Sequence, residues 1–338
     1  VGLLATPARA ALRTRWPYVA AALAAALFVP YLAWEAGNGW PTLEFMHNAM
    51  TQKYAAHSLG AFLKEQLEQN NPFTLPLWLA GLVALFARRL GARQAVLGWI
   101  YAVTFAIVAS EPTSKAEYLS PAYPMLMAAG AVGWERWVSS PRTRAWVRPA
   151  VAALLIAAMI AGGVLAAPFA LGILSEERFI AYEHALGKTP KSSERRELGE
   201  LTQFYADMHG WPELTAAVAG VYHSLAPEER SGATIWTRSG GYGSAAAIDY
   251  FGRPLGLPRA ICGHNNYGLW GYGQGDGKAV IVVGGSPDRV ARYFESFTRV
   301  ATFECRYCRP DENHKPIYIG RRMKTSFAAL WPGERYLD

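Results

Sequence analysis

Charge-free apolar stretches recur through the first half of the chain, at residues 16–34, 73–87, 95–109, 118–134 and 151–174. Each approaches the roughly 20 residues that a helix needs to cross a bilayer, so the pattern predicts about five transmembrane helices. The second and third stretches are short, and tilt or flanking residues must complete them. After the first stretch, Phe45, Met46 and Met50, then Phe62, Leu63 and Leu67, suit amphipathic helices lying along a membrane surface, with Trp40 and Tyr54 as interfacial aromatics. That surface has two readings: anchoring, or contact with a lipid substrate.

Beyond residue 174 the pattern changes. Pro212 opens a helix with Leu214, Val218, Val221, Tyr222 and Leu225 at helical spacing, and Pro227 ends it. Residues 233–237 read as a strand, followed by Ser239-Gly240-Gly241-Tyr242-Gly243 and a helix over 244–251. The order then repeats, with a strand at 279–283, the turn Gly284-Gly285-Ser286-Pro287-Asp288 and a helix through Phe297. Strands at 300–303 and 317–319 follow. Strand, Gly-rich turn and helix in repetition predict an α/β sandwich with a mostly parallel sheet. The expected organisation is a transmembrane domain over 1–174 and a soluble α/β domain over 175–338.

Composition sharpens that division. Of the 338 residues, 51% are hydrophobic and 17% charged, where soluble chains carry about a quarter charged. Disorder and an ordinary cytosolic enzyme are excluded. Up to residue 174 there are 13 basic and 7 acidic residues, a net +6 with no Asp, whereas the remainder holds 20 and 19, a net +1. The basic residues cluster as Arg9, Arg13 and Arg15, as Arg88, Arg89 and Arg93, and as Arg136, Arg142, Arg144 and Arg148. The alternate loops carry only Lys53, Lys64 and Lys115. Short loops rich in Lys and Arg stay cytoplasmic. Residues 35–71, 110–117 and everything after 175 are therefore expected on the outer side of a bacterial inner membrane. Nucleic acid is excluded as a partner, because the charge follows the loops and the trailing domain is nearly neutral. Val1 is not Met, and no charged segment with a cleavage site precedes the first stretch, so further sequence is expected upstream.

Several groups carry candidate chemistry. Lys115, at the mouth of a predicted membrane cavity, offers a compact charge that suits a phosphate head group, and the neighbouring Pro121 and Pro124 free backbone carbonyls that need protein or water. The other reading of Lys115 is a snorkelling side chain beside a kinked helix. Gly240-Gly241-Tyr242-Gly243 can cradle phosphate or make a tight structural turn, and it lacks the nucleotide-binding patterns. His264, Asn265, Asn266 and Tyr267, with Trp270 nearby, combine amide groups with aromatic faces, which is what sugar or acceptor recognition needs; hydrogen bonds within the loop are the alternative. Cys305 and Cys308 can close a disulfide, leaving Cys262 over, or join Cys262 and His264 in a zinc site.

Three groups of motifs resemble the membrane glycosyltransferases of family 39, in the GT-C class that includes protein mannosyltransferases and the lipid A aminoarabinose transferase. They are Gly39-Trp40-Pro41 with Glu44-Phe45, Asn71-Pro72 followed by Leu75-Pro76-Leu77-Trp78-Leu79-Ala80-Gly81-Leu82, and Lys115-Ala116-Glu117-Tyr118-Leu119-Ser120-Pro121-Ala122-Tyr123-Pro124, which is similar to the family's K-x-x-Y-L-x-P-x-Y-P pattern. Ala206-Asp207-Met208-His209-Gly210-Trp211-Pro212 and Gly263-His264-Asn265-Asn266-Tyr267-Gly268-Leu269-Trp270-Gly271 resemble stretches of a bacterial branch. The resemblance implies inverting transfer of a sugar from a polyprenyl-phosphate carrier to a lipid, glycan or protein acceptor, among membrane lipids. It implies that Lys115, with Tyr118 and Tyr123, holds the carrier phosphate. It also implies a catalytic acid in an early outer loop. With no Asp before Asp207, that acid is expected outside this sequence, and a divalent cation is allowed in the full-length enzyme. A non-catalytic saccharide- or protein-binding module is the alternative. A transporter ranks below both, since the apolar stretches hold few ionisable residues.

Overall fold

Proline and glycine decide where the apolar stretches become helix and how closely those helices pack. The computed structural model describes residues 1–238 and 241–338. The chain divides into two compact units, Val1–Gly39 with Tyr54–Leu174, and Trp40–Lys53 with Ser175–Asp338. The segment Trp40–Lys53 thus packs with the second unit, although it lies in the first half of the sequence.

In the first unit, the helices Trp16–Gly37 and Val147–Ala170 have 22 and 24 residues. Among the described residues these two helices are the ones long and apolar enough to cross a membrane, and only 6% of each apolar window is buried. Leu27 and Leu154 are 76% and 70% exposed. At 1.5 Å per residue such helices reach about 33–36 Å, enough for a hydrocarbon core of about 30 Å. The expectation of about five transmembrane helices is therefore corrected to two candidates. The stretches between them yield Leu75–Phe86, Ala95–Ser110 and Tyr123–Val138, of 12, 16 and 16 residues, or about 18–24 Å.

Proline explains part of the shortfall. The stretch at 73–87 begins as the 3₁₀ turn Pro72–Thr74, with the Asn71 side chain accepting from Phe73 N–H. The stretch at 118–134 begins as the 3₁₀ segment Ala116–Ala122, which contains Pro121, and turns α-helical only at Tyr123. Each Pro lacks the N–H that a continuous helix needs. The shorter helices pack on one another around Phe62, Leu85, Leu119 and Leu126. A Cβ at Gly81 would stand 1.9 Å from the Leu126 carbonyl oxygen, and one at Gly130 would stand 1.8 Å from that of Leu77. The two backbones touch there, and only glycine permits it.

The second unit is built on β1 (Thr234–Thr237), β2 (Ala260–Ile261), β3 (Ala279–Val283), β4 (Phe294–Phe303) and β5 (Lys315–Met323), in the spatial order β2-β1-β3-β5-β4. β1 runs parallel to β2 and β3, and β5 runs antiparallel to β3 and β4. The sheet is mixed, which corrects the expectation of a mostly parallel one. The helix expected through Phe297 stops at Ala291, and Phe294 begins a strand. β4 then returns as β5 through a loop without a crossover helix, so the pair can only be antiparallel. One sheet face packs Ile235, Ile281 and Ile317 against Leu214, Val218 and Ile248 of the helices Trp211–Ser224 and Gly241–Phe251. The other packs Trp236, Val280, Val282 and Phe294 against Phe327 and Trp331 of the helix Phe327–Glu334. β3 is buried along its whole length, as a strand covered on both faces must be.

Gly130→Leu forces a side chain into the Leu77 carbonyl and is expected to cost about 1–3 kcal/mol or more of stability. Thermal unfolding of the detergent-solubilised protein checks this, and an unchanged Tm would refute the close approach of the two helices.

Candidate functional site

A cavity of about 520 Å³ opens in the second unit. It lies where ligands of open α/β sheets are commonly held, beyond the carboxyl ends of parallel strands. Arg238 follows β1 directly, and His264 follows β2 after Cys262 and Gly263. Gly241, Tyr242 and Gly243, also on the cavity wall, open the helix Gly241–Phe251. Gly241 has φ +52°, and a Cβ there would stand 2.0 Å from His264 Nδ1, so the ring fits only against bare backbone. Trp211 and Asp207 come from the helix start and the turn before it, Arg309 and Glu312 from the β4–β5 loop, and Tyr336 and Asp338 from the segment after the last helix. Lys53, Glu194, Arg196 and Gln203 complete the lining.

One wall is a braced pair. His264 Nε2 lies 2.6 Å from Asp338 Oδ1, and the imidazole stacks on Tyr336 at 4.5 Å and 13°. The Tyr242 ring stands 4.8 Å from the imidazole. Tyr336 N–H donates to the Gly263 carbonyl at 3.0 Å, and Asn265 N–H donates to the Tyr336 carbonyl at 2.9 Å. The Asn265 amide closes the ladder, donating to the Asp338 carbonyl and accepting from Asp338 N–H, both at 3.0 Å. The hydrogen bond from His264 holds the Asp338 carboxyl below the usual carboxylate range, and the positive charges of Lys53 and Arg196 add to it. Lys53, the last residue of the π-turn Ala49–Lys53, brings Nζ to 3.9 Å from Glu194 Oε1 and 4.0 Å from Asp338 Oδ1.

Another part of the lining is a chain of ion pairs. Arg309 Nε lies 3.0 Å from Asp207 Oδ1, and its Nη2 lies 3.3 Å from Glu312 Oε1. Behind them the buried Lys315 pairs with Glu312 and donates to Ser244 Oγ at 2.9 Å. Burial raises the Asp207 carboxyl above its usual range against the attraction of Arg309. It also lowers the Lys315 amine, with Glu312 opposing, and pushes the Tyr242 hydroxyl up.

Formal charge on the lining is balanced, with Lys53, Arg196, Arg238 and Arg309 against Glu194, Asp207, Glu312 and Asp338. The cavity therefore has little net field with which to collect an ion. It offers instead a dense set of fixed donors and acceptors beside the rings of Trp211, Tyr242 and Tyr336, the groups that a neutral polyol needs.

Of the five residues expected to recognise sugar, His264 lines the cavity and Asn265 braces it from behind. Asn266 opens the short helix Asn266–Trp270. The Tyr267 hydroxyl donates to Asp249 Oδ2 at 2.9 Å. Trp270 is 63% exposed, with the Arg259 guanidinium over its ring. Among the residues expected to hold carrier phosphate, all in the first unit, Lys115 is half-buried with its amine 5.0 Å from the Tyr54 ring centre, and Tyr118 is exposed. Tyr123 is buried, its hydroxyl donating to Gln66 Oε1 at 2.8 Å. Of the Gly-rich turn, Gly241, Tyr242 and Gly243 face the cavity, while Ser239 and Gly240 lie outside the described residues.

Cys305 and Cys308 form a disulfide, and Cys262 is free and buried, its thiol pushed up by that burial. The bonded pair cannot supply thiolates to zinc. Among the described residues no group of three or more His, Cys, Asp or Glu is arranged to hold a metal ion. Sequence reading missed Lys53, Glu194, Arg196, Arg238, Arg309, Glu312, Tyr336 and Asp338. Arg238 alone carried a local signal, its position just after a strand read as parallel. No family model matches the chain, and no curated protein or solved structure is significantly similar to it.

The depressed Asp338 carboxyl sets a pH dependence. Its contribution is complete above the ordinary carboxylate pKa of about 4 and is lost as pH falls through the lower folded value. The stability difference between wild type and Asp338→Asn, read from denaturant unfolding across pH, is expected to be constant at neutral pH and to shrink below about pH 4. A difference that grows on acidification would contradict the His264 contact.

Proposed function

We propose that this chain is part of a membrane glycosyltransferase that moves a sugar from a polyprenyl-phosphate carrier to a lipid, glycan or protein acceptor on the outer face of the membrane. In this reading the cavity of the sheet unit holds a saccharide. The observation that carries it is the charge-balanced, ring-bearing cavity beyond β1 and β2. A sugar presents hydroxyls in all directions and an apolar C–H face, and such a ligand is gripped by fixed hydrogen-bonding groups without net charge.

A membrane setting is supported by the two long helices that expose apolar side chains on nearly all sides, since a patch of that size in water favours aggregation. Orientation follows from charge. Arg9, Arg13 and Arg15 precede the helix Trp16–Gly37, and basic flanks stay cytoplasmic. The next segment, Trp40–Lys53, would then emerge outside. It folds together with Ser175–Asp338, so the cavity would lie outside as well, which requires one return passage of the chain through the short packed helices between the two long ones. Arg142, Arg144 and Arg148, at the start of Val147–Ala170, argue in the same sense.

The transfer itself needs a base that takes the acceptor proton while the sugar–phosphate bond breaks. In this reading the base is an acidic residue beyond this sequence, Lys115 and the exposed Tyr118 meet the carrier phosphate, and the cavity binds and orients a saccharide. The absence of any Asp before Asp207 favours a second reading, a membrane-anchored saccharide-binding module without catalysis.

The test is sugar transfer by the full-length protein in liposomes, from labelled polyprenyl-phosphate donors. Labelled product is expected, and Lys115→Ala is expected to weaken carrier binding about ten- to a hundredfold, the value of a charge-assisted hydrogen bond of about 1.5–3 kcal/mol. Saccharide binding without transfer from any donor would leave the module reading in its place.

A further inference from the structure

The cavity has a neighbour. A second hollow of about 190 Å³ is bounded by Trp236, Thr237, Gly333 and Glu334, and it shares Arg238 and Tyr336 with the larger one. We infer that the two hollows are lobes of one cleft that takes an uncharged saccharide of at least two sugar units, with Arg238 and Tyr336 at the junction between neighbouring units. The inference rests on the saccharide reading of the larger lobe and specifies the length and charge of the ligand.

Both junction residues are held in place. The Arg238 guanidinium lies 4.6 Å from the Trp236 ring centre and pairs with Glu334, and the two side chains are only 19% and 15% exposed. A planar guanidinium stacked and paired in this way keeps further N–H donors fixed in one plane, which suits the hydroxyl pairs and ring oxygens flanking a glycosidic bond. Tyr336 is fixed by its stack on His264 and by the backbone bonds to Gly263 and Asn265. Neither side chain needs to move to separate two sugars.

Charge points the same way. The smaller lobe adds Arg335 and Glu334 to the lining, so the joined cleft keeps equal numbers of basic and acidic groups, five of each. A phosphate or uronate entering it meets as many carboxylates as cations. The joined space falls within the roughly 300–1,000 Å³ of ordinary small-molecule sites, more than a single sugar needs to be enclosed.

The smaller lobe can be filled separately. Gly333 lies near the end of the helix Phe327–Glu334, and a Cβ there would meet nothing within 4 Å. Gly333→Leu therefore adds a side chain whose Cβ meets no neighbour, on the lining of the smaller lobe, and it improves helix propensity.

The experiment is calorimetric titration of the full chain in nanodiscs with glucose, maltose and maltotriose, and with N-acetylglucosamine and its β1,4-linked dimer and trimer. In at least one series the dimer is expected to bind tenfold or more tighter than the monomer, and Gly333→Leu is expected to erase that ratio. Equal affinities for monomer and dimer, or a ratio that survives Gly333→Leu, would overturn the two-lobed cleft while leaving the saccharide reading standing. Tighter binding of glucose 1-phosphate or glucuronate than of glucose would overturn the charge assignment. Absence of binding by every sugar would remove the saccharide reading itself, and the inference with it.

Discussion

The contact between the His264 imidazole and the Asp338 carboxylate fixes where the remote segments of the sheet unit meet. Residues 336–338 have little regular structure of their own, and an extended segment of that kind stays ordered only when tied down. The charge-assisted bond at 2.6 Å ties it to the loop after β2, and the Asn265 amide repeats the tie on the backbone. Tyr336 is thereby laid on the imidazole, and the carboxylate is turned toward Lys53. Each of these groups would cost side-chain entropy to hold alone. Held as a set, they make one wall of the cavity.

The same lining shows how a site can be full of charge and yet present little net field. Every cation in it stands near a carboxylate, so the long-range potential largely cancels and ions gain little from approaching. The pairs are partly desolvated, a situation in which attraction and lost hydration nearly offset, so they add more to geometric definition than to stability. What remains is short-range. Carboxylate lone pairs and guanidinium hydrogens not used in the pairs sit at fixed angles, and under the proposed saccharide reading they are what a ligand's hydroxyls must match.

Much of the sheet unit was legible locally. β3 coincides with the apolar run at 279–283, and the helix Trp211–Ser224 follows the Pro212 signal and the helical spacing of Leu214, Val218 and Val221. The error came at Phe294–Phe297, read as the end of the helix after Pro287; pairing with β5 makes it strand, continuous with the strand read at 300–303, and pairing partners are not written locally. The membrane-like stretches were legible as apolar, but their lengths as helices were set by Pro72, Pro121 and the loop ends. The candidate site was the least legible part. His264 stood out because aromatic and amide residues cluster around it, whereas Lys53, Glu194 and Asp338 look like ordinary solvated charges until the fold brings both carboxylates within 4.0 Å of the lysine amine.

Lys53 and Asp338 are separated by 285 positions along the chain, and the lysine amine donates to the Asp338 carbonyl at 3.3 Å. Contacts this distant in sequence close late and slowly. During translation at about 5–20 residues per second, the turn bearing Lys53 leaves the ribosome tens of seconds before its partner exists. In that interval the nascent polypeptide carries an incomplete pocket. A nascent chain that stops short of Tyr336 holds the sequence of all five strands and lacks two of the residues that line the cavity.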